Sequence, residues 1–598
     1  MDPKAIAVVV LLLLGGGLLG GVALFGLGGE DVGSQDEGNV LFDPLLQGDG
    51  HDHHNATEHN FSTDNIEYVD YNSLTTPGNA EVQVVTSPDG RTYAYQAGWN
   101  EMHITDVTDP YNTTVVGRYY DPNTQVLDVK YLEYDGQEYI ILQNQVVDSN
   151  YADPNIGEWD DPMQVSVNLI DVTDKTDPRW IDSWYDVDHP SGPHNLFTHM
   201  IDGEWYLFIA NPEYQACDIG TGDACGGITI AHLNFAAYEG LPRIVKLGEA
   251  EVAWETTRGG WIYIHDMTVQ RWPGEDPNDP RHEGTFIYGA YWEAGLRIFD
   301  VTNVPHPTNS PEAYLWHGST CYATHSPVTC TWRAPEVGSW DDFADLDEDG
   351  EADCQANGNV NGGRASYIHY VEPYPVMVDV THLGGQSGPR HLTTLATEVL
   401  STTHGTGLVY LMDTTDYTMN NGQFRFQPFL YSTWEVPNAE NHCYGADCPL
   451  NPDGAEWLMF SPHNLDSVWF PTTSEGLPDH SNGGDWDGRL YMGNYHTGLW
   501  VLDVETLIAR GLVDQSDGFV SASERNATHL AAVVGYYVPH GSEEGEAQTQ
   551  EYYDRGATPT VWTAEYHDSY VYISDLSGLY VVQLDIDAPY HGMILPLG

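Results

Sequence analysis

One short pattern recurs along the chain: an apolar, β-rich run that ends in Asp and is followed by a turn. It begins at Met102, Val167, Gly226, Gly295, Gly407, Gly498 and Gly578. The copy at Val167, VNLIDVTDKTDP, is typical of the set, whereas the copy at Gly226, GGITIAHLNF, is degenerate and has His232 in place of Asp. Any fold of this chain must therefore use one structural unit seven times.

Each copy is the third of four apolar runs. A second run precedes it, such as WYLFIANPE at Trp205, and a first run often ends in an Asp-Gly turn; a fourth run, such as TTVVGRYY at Thr113, follows. Four short strands cannot bury their faces alone, but seven such sheets packed around an axis cover one another and leave few free edges. We therefore predict an all-β fold, a seven-bladed β-propeller of four-stranded antiparallel blades.

The repeats also resemble a known family. LIDVTDKTDP and RIFDVTNVPHP are similar to the LVIVD repeat, an apolar run closed by Asp and a Pro-containing turn. The resemblance extends over residues 80 to 585; it is strong at Asp106, Asp171 and Asp300, and weaker at Asp413, Asp503 and Asp585. It implies a propeller of the bacterial and archaeal surface type, and it says more about fold and location than about activity.

The N-terminal region differs from the repeats. Residues 1–29 are predicted to form a signal anchor or transmembrane helix, because the run from Ala5 to Gly29 carries no charge and is long enough to span a bilayer. Lys4 before it and Glu30 after it favour an inside N-terminus, with the bulk of the chain outside. A cleaved signal peptide is the alternative. Residues 30–78 are predicted to be a flexible acidic stalk that contains histidines (HDHHNATEH), and residues 79–598 the propeller.

The net charge of the chain limits the classes of molecule that it can bind. The chain has 20 Lys plus Arg against 89 Asp plus Glu, a formal net charge of -69. Such a chain repels nucleic acid, so we exclude DNA and RNA as partners. The expected partners are the membrane, contacted through the N-terminal helix, and an unknown extracellular ligand or protein. The expected location is the cell surface, with the propeller outside.

The cysteines and an acidic loop suggest local stabilising features. Disulfides are expected within short loops, and the candidates are Cys217, Cys225, Cys443, Cys448, Cys321 and Cys330. The insertion at residues 321–364 contains DLDEDGEADC, whose alternating carboxylates and central Gly resemble the first half of a calcium-binding loop. The candidate Ca²⁺ ligands are Asp345, Asp347, Asp349, Glu351 and Asp353. An ordinary acidic loop is the alternative.

Histidines recur at one position of the blades. The segments GPHNL and SPHNL put His194 and His463 at the start of a first strand. His265 and His369 occupy the equivalent position in the blades between them. In a propeller this position lies at one mouth of the central channel, and the turn between the second and third strands opens on the same rim. Those turns add His404 and His496.

Imidazoles gathered at one mouth have two interpretations. They are good ligands for Zn, Cu or Fe, and an open coordination position would make the ion a Lewis acid or redox centre. Alternatively they simply bond water and backbone in a wet channel. The sequence lacks the G-x-S-x-G, phosphate-loop and H-E-x-x-H motifs. We therefore expect a ligand-binding or scaffold protein with a His-rich mouth; the alternative is a metal-dependent oxidoreductase or hydrolase.

Overall fold

Strand pairing divides the chain into seven antiparallel blades arranged in a ring. The computed structural model describes residues 61–63, 65–74, 79–146, 167–184, 193–211, 227–236, 243–252, 264–292, 294–306, 332–340, 368–398, 407–436, 461–472, 485–517, 529–539, 561–575 and 578–585. The first strands in the chain are β1 (Phe61–Ser62) and β2 (Ile66–Asn72). The predicted all-β seven-bladed propeller is confirmed.

Blades 1 and 2 are joined by shared long strands: β3 (Val82–Thr86), β4 (Thr92–Asp106), β5 (Thr114–Tyr134), β6 (Gln137–Val146), β7 (Val167–Asp171) and β8 (Arg179–Trp184). Residues 92–96 of β4 pair with β3 and residues 101–106 pair with β5, so β4 supplies two strands of blade 1. The first part of β5 is the outer strand of blade 1, and its last part pairs with β6 as the inner strand of blade 2.

Blades 3 and 4 follow the four-strand order of the sequence. Blade 3 consists of β9 (Asn195–Ile201), β10 (Glu204–Asn211), β11 (Gly227–Leu233) and β12 (Ile244–Ala250). Blade 4 consists of β13 (Asp266–Arg271), β14 (Thr285–Ala290), β15 (Leu296–Asp300) and, after β16 (Trp332–Arg333), β17 (Glu336–Trp340). The short β16 pairs in parallel with the outer edge of blade 3.

Blades 5 and 6 carry additions between their strands. Blade 5 contains β18 (Ile368–Asp379), β19 (Pro389–Thr397), β20 (Val409–Asp413) and β23 (Phe429–Trp434), with the hairpin β21 (Tyr417–Asn420) and β22 (Gln423–Phe426) inserted. Blade 6 contains β24 (Pro462–Thr472), β25 (Asp485–Asn494), β26 (Gly498–Asp503) and β27 (Val533–Val538). Helix α1 (Val504–Asp517) connects β26 to β27, and 3-10 turns lie at Thr381–Leu383 and Tyr495–Thr497.

Blade 7 joins the two ends of the chain. It consists of β28 (Val561–His567), β29 (Tyr570–Asp575), β30 (Gly578–Leu584) and, as its outer strand, β2 from the N-terminal region. The inner strands β3, β5, β9, β13, β18, β24 and β28 contact one another in this order, and β28 contacts β3. The ring is therefore closed, and a strand from one end of the chain completes the last blade.

Seven hydrophobic clusters hold the blades together, one between each neighbouring pair. Leu169 of blade 2 packs in one cluster with Leu207 of blade 3, and Val84 of blade 1 packs in another with Val581 of blade 7. Because the apolar faces of each sheet are covered by its neighbours, a blade cannot bury its surface without the ring.

The Asp that ends each repeat has a local role. Asp171 accepts a hydrogen bond from the backbone N–H of Thr173 at 2.9 Å, and Asp300 accepts one from Thr302 at 2.9 Å. The equivalent carboxylates of Asp106, Asp413 and Asp503 accept N–H groups two residues further on at 3.0, 2.8 and 3.1 Å. Asp is used because its short carboxylate caps the turn that leads to the fourth strand.

Two boundaries differ from the sequence expectation. The sequence predicts a stalk that reaches residue 78, but Phe61–Ser62 and Ile66–Asn72 form β1 and β2 of the propeller. The segment 321–364 was expected to be an insertion, yet it supplies β17, the outer strand of blade 4. Both strands pair with a distant partner, so the local sequence gives little sign of them.

Several predictions lie outside the described residues. They are the segment 1–29, the seven cysteines, the calcium-type loop at Asp345–Asp353 and the histidine of the turn at position 404. In the described ranges, no helix has the length and hydropathy that a membrane span requires.

Candidate metal centre

Four histidines stand where the inner strands of four successive blades begin. His194 and His265 directly precede β9 and β13, and each donates its backbone N–H to the second strand, to Ala210 O and Ala290 O, both at 2.9 Å. His369 and His463 are the second residues of β18 and β24. The hairpins of blades 3 to 6 therefore present one imidazole each at the same level of the axis.

The four imidazoles lie in direct contact. The Nε2 atoms of His194 and His265 are 2.8 Å apart. Ring centroids are separated by 4.1 Å between His194 and His265, 3.8 Å between His265 and His369, and 4.0 Å between His369 and His463. His194 also lowers the pKa of His463 through its charge, so the two ends of the row are near each other. The four rings therefore form one continuous cluster.

All four rings are buried and uncharged at neutral pH. Burial lowers the pKa of His194 and of His463 to about 3. Burial lowers the pKa of His265 and His369 well below the usual range, and neighbouring imidazoles lower both further. Neutral imidazole is the form that coordinates metal ions, so each ring keeps a lone pair available at neutral pH.

A buried carboxylate lies beside the imidazoles. The Oε2 atom of Glu398, the residue after β19, is 3.6 Å from Nε2 of His265 and 4.0 Å from Nε2 of His369. Its Oε1 atom accepts a hydrogen bond from the hydroxyl of Tyr495 at 2.7 Å. Burial raises the pKa of Glu398 to about 7, and the bond from Tyr495 acts in the opposite direction. His265, His369 and Glu398 offer ligand atoms within 4.8 Å of one another.

Neither Glu398 nor Tyr495 was among the candidates from the sequence. Both come from the turns between second and third strands in blades 5 and 6, for which the sequence predicts His404 and His496 as the contributing residues. His404 lies outside the described residues, and of His496 only the backbone is described, in the turn Tyr495–Thr497. The strand pattern indicated the right turns but could not single out the carboxylate within them.

One layer below the imidazoles, the axis is lined by acidic side chains around a single lysine. Lys130 Nζ contacts Glu81 Oε1 and Asp128 Oδ1, both at 2.6 Å. Asn464 donates to Glu81 at 2.8 Å, and Asn195 donates to Asp266 at 2.7 Å. Asn195 and Asn464, which directly follow His194 and His463, thus bond to this second layer. Asp266, which directly follows His265, belongs to the layer itself.

Five carboxyl groups on the axis have raised pKa values. Burial raises the pKa of Glu81 to about 7, and that of Asp266 well above its usual range. Glu372, Asp466 and Glu565 complete the layer from blades 5 to 7, and burial raises their pKa values as well, to about 8 for Glu372 and about 6 for Asp466. Around neutral pH the axis is therefore a partly protonated, cation-attracting interior.

The residues present fit a transition-metal ion. Neither ring nitrogen of His369, which is buried, has a hydrogen-bond partner among the described residues. Buried polar atoms are rarely left in this way unless a ligand, ion or water satisfies them. Two imidazole nitrogens on one ion with bonds near 2.0–2.1 Å lie about 2.9 Å apart at right angles and about 3.3 Å apart in a tetrahedron, close to the separation of His194 and His265.

Comparison with known proteins identifies the repeat. Residues 91–121, which cover β4 and the start of β5, match the family model of the LVIVD repeat. The chain is a β-propeller in which one segment matches the LVIVD repeat. No curated protein matches the chain.

Two solved structures are similar to the propeller at low sequence identity. A chain in the structure of the Chaetomium thermophilum Polycomb Repressive Complex 2 bound to GSK126 is 10% identical, with a TM-score of 0.40, over 88% of this chain and 97% of that one. Chaetomium thermophilum Raptor is 10% identical, with a TM-score of 0.34, over 87% of this chain and 30% of Raptor. Neither similarity carries an inference about function.

Proposed function

We propose that the propeller binds a transition-metal ion with His194, His265, His369 and His463, and that this centre is its functional site. The observation that carries the proposal is the convergence of four buried, neutral imidazoles from four successive blades. Burying four imidazoles side by side costs desolvation that a channel without a ligand does not repay. An ion bound by their lone pairs would offset that cost.

The donor set indicates the class of metal. Imidazole suits Zn, Cu and Fe, whereas Ca²⁺ and Mg²⁺ prefer oxygen ligands. Glu398 lies beside two of the imidazoles and adds a negative charge when ionised. Four imidazoles and one carboxylate make a site for a divalent transition ion that can also accept an external ligand, so the protein binds its partner molecule at the metal.

Catalysis by the same ion is the second candidate function. It is favoured by Glu398, whose pKa of about 7 allows it to accept or donate a proton next to the ion at neutral pH. The ion would act there as a Lewis acid or redox centre. Tyr495, which donates to Glu398 at 2.7 Å, would keep the carboxylate oriented.

Metal analysis of the purified full chain after mild chelation tests the centre. We expect one Cu, Fe or Zn ion per axial site, lost in a His369→Gln/His463→Gln variant. His199→Gln is the matched control, because His199 lies on β9 about 16 Å along the strand from His194. Equal metal content in all three proteins would refute the centre and leave a scaffold propeller without an axial ion.

We also propose that residues 1–29 anchor the protein in a membrane and hold the propeller outside the cell. The uncharged run from Ala5 to Gly29 and the net charge of -69 support this location. Protease added to intact cells should degrade the propeller, and deleting residues 1–29 should prevent its recovery with the membrane fraction. A calcium ion at Asp345–Asp353 remains a prediction, tested by the calcium content of an Asp347→Asn variant.

A further inference from the structure

Blade 3 departs from the repeat at one position. In β10, Tyr206 pairs with His232 of β11, just as Tyr139 of β6 pairs with the repeat Asp171 in blade 2. His232 thus occupies the position at which five other blades place the Asp that caps the following turn. The change exchanges a turn-capping carboxylate for an imidazole that is fully buried.

Two further ligand-type side chains meet His232. Its Nε2 atom is 3.2 Å from Oε2 of Glu204, the first residue of β10. The other oxygen of Glu204 is 3.8 Å from Nε2 of His306, which lies in the turn after β15 in blade 4. The rings of His232 and His306 are 5.2 Å apart, and the three side chains offer ligand atoms within 4.8 Å of one another.

This cluster is separate from the axial centre. The strand β9 starts at the axial mouth beside His194 and runs about 20 Å to the opposite face, where the turn to Glu204 lies. The strand β11 runs in the same direction, so His232 near its end lies at that opposite face too. His306 follows the end of the third strand of blade 4, which places it on the same side.

We propose that Glu204, His232 and His306 form a second metal site that binds a divalent transition ion and links blade 3 to blade 4. Two imidazoles and one carboxylate are a donor set suited to Zn²⁺ or Fe²⁺, and they leave coordination positions open to solvent or a ligand. The side chains of Glu204 and His306 are 26% and 20% exposed, so a small rotation of either can bring the three donors to coordination distance.

Charge at the site is compatible with a cation. Burial lowers the pKa of His232, Glu204 raises it again by hydrogen bonding and charge, and His306 lowers it. The net result is a lowered pKa, so His232 is neutral at pH 7 and can act as a ligand. Imidazoles are deprotonated when they act as ligands, and the single carboxylate of the cluster would offset part of the charge of a divalent ion.

The test uses Co²⁺ and Zn²⁺ binding to the full chain in the His369→Gln/His463→Gln background, which removes the axial centre. We expect one Co²⁺ per chain at this site, with visible absorption bands, displaced by Zn²⁺. Adding Glu204→Gln and His306→Gln should abolish these bands and weaken binding by at least tenfold. Gln is the residue that blade 2 carries at the position of Glu204, Gln137, so the fold should tolerate it.

A second variant guards against misfolding. His232→Asp restores the repeat residue of the other blades, and it should fold normally while losing Co²⁺ absorption. If the absorption bands are unchanged in Glu204→Gln/His306→Gln and in His232→Asp, the ion binds elsewhere and the proposal fails. If the axial variant binds no ion at all, the cluster is a plain hydrogen-bonded contact between blades. The Co²⁺ that the wild-type chain binds in excess of the His369→Gln/His463→Gln variant reports the axial centre separately.

Discussion

Glu372 allows a direct test of the raised pKa values in the acidic layer on the axis. It lies on β18, is half-buried below the imidazoles, and accepts a hydrogen bond from Ser467 at 3.0 Å. Burial, with a smaller contribution from Asp466, raises its pKa from 4.5 to about 8. The perturbation is Glu372→Gln, which keeps the shape of a protonated carboxyl group but cannot ionise.

The sign and size of the effect follow from proton linkage. Because the folded pKa is raised, the stabilising contribution of Glu372 is fully present below about pH 4.5 and is lost as the pH rises through about 8. Each pH unit inside that window costs about 1.4 kcal/mol. Buried histidines such as His194, with a pKa of about 3, produce the opposite trend, but only below the unfolded value near 6.5. Between pH 6.5 and 8 Glu372 alone therefore removes about 2 kcal/mol.

The assay is urea unfolding, followed by tryptophan fluorescence, at intervals from pH 6.5 to 8. We expect the free energy of unfolding of Glu372→Gln, relative to wild type, to rise by about 2 kcal/mol across this range. Glu67→Gln, on the exposed side of β2, is the control and should run parallel to wild type. Parallel curves for Glu372→Gln would refute the reasoning that this carboxyl group is buried and protonated at neutral pH.

Three other outcomes are expected. Deleting residues 1–72 should destabilise the ring by several kcal/mol more than deleting residues 1–60, because it removes β2 and the burial of Ile66, worth about 1.5–3 kcal/mol; equal melting temperatures would contradict the closure. Lys130→Met should cost about 3–5 kcal/mol at pH 8 and less at pH 6, where its partner Glu81, with a pKa of about 7, can take up a proton; urea unfolding at both pH values measures this, and a pH-independent loss would contradict it. Asp300→Ala should cost about 1 kcal/mol by removing the cap on the Thr302 N–H, and a calorimetric melt with no shift would contradict that role.

Much of the fold could be predicted from the sequence because the chain repeats one pattern. Asp171 and Asp300 marked the third strands because the turn that follows them needs a carboxylate cap, and a requirement repeated in each blade leaves a periodic trace. The position of His194, His265, His369 and His463 at one mouth followed from the same periodicity. Their metal binding remains a prediction.

The features that the sequence did not reveal depend on contacts over long distances. The strand Ile66–Asn72 finds its partner β30 some 500 residues away, so its surroundings of Asp and Asn suggested a stalk. Glu398 is one of 89 acidic residues, and only its burial beside His265 distinguishes it. The protonated acidic layer likewise arises from burial, since residue type alone does not set a pKa.

The pairing of β2 with β30 also determines when the ring can close during synthesis. Asn72 pairs with Leu579, so the ring cannot close until residue 579 has left the ribosome. At typical translation rates the early blades wait roughly 25–100 s for that partner, with one apolar flank of blade 1 uncovered. We therefore expect either that a chaperone covers this flank during synthesis or that folding ends with a slow step after release from the ribosome.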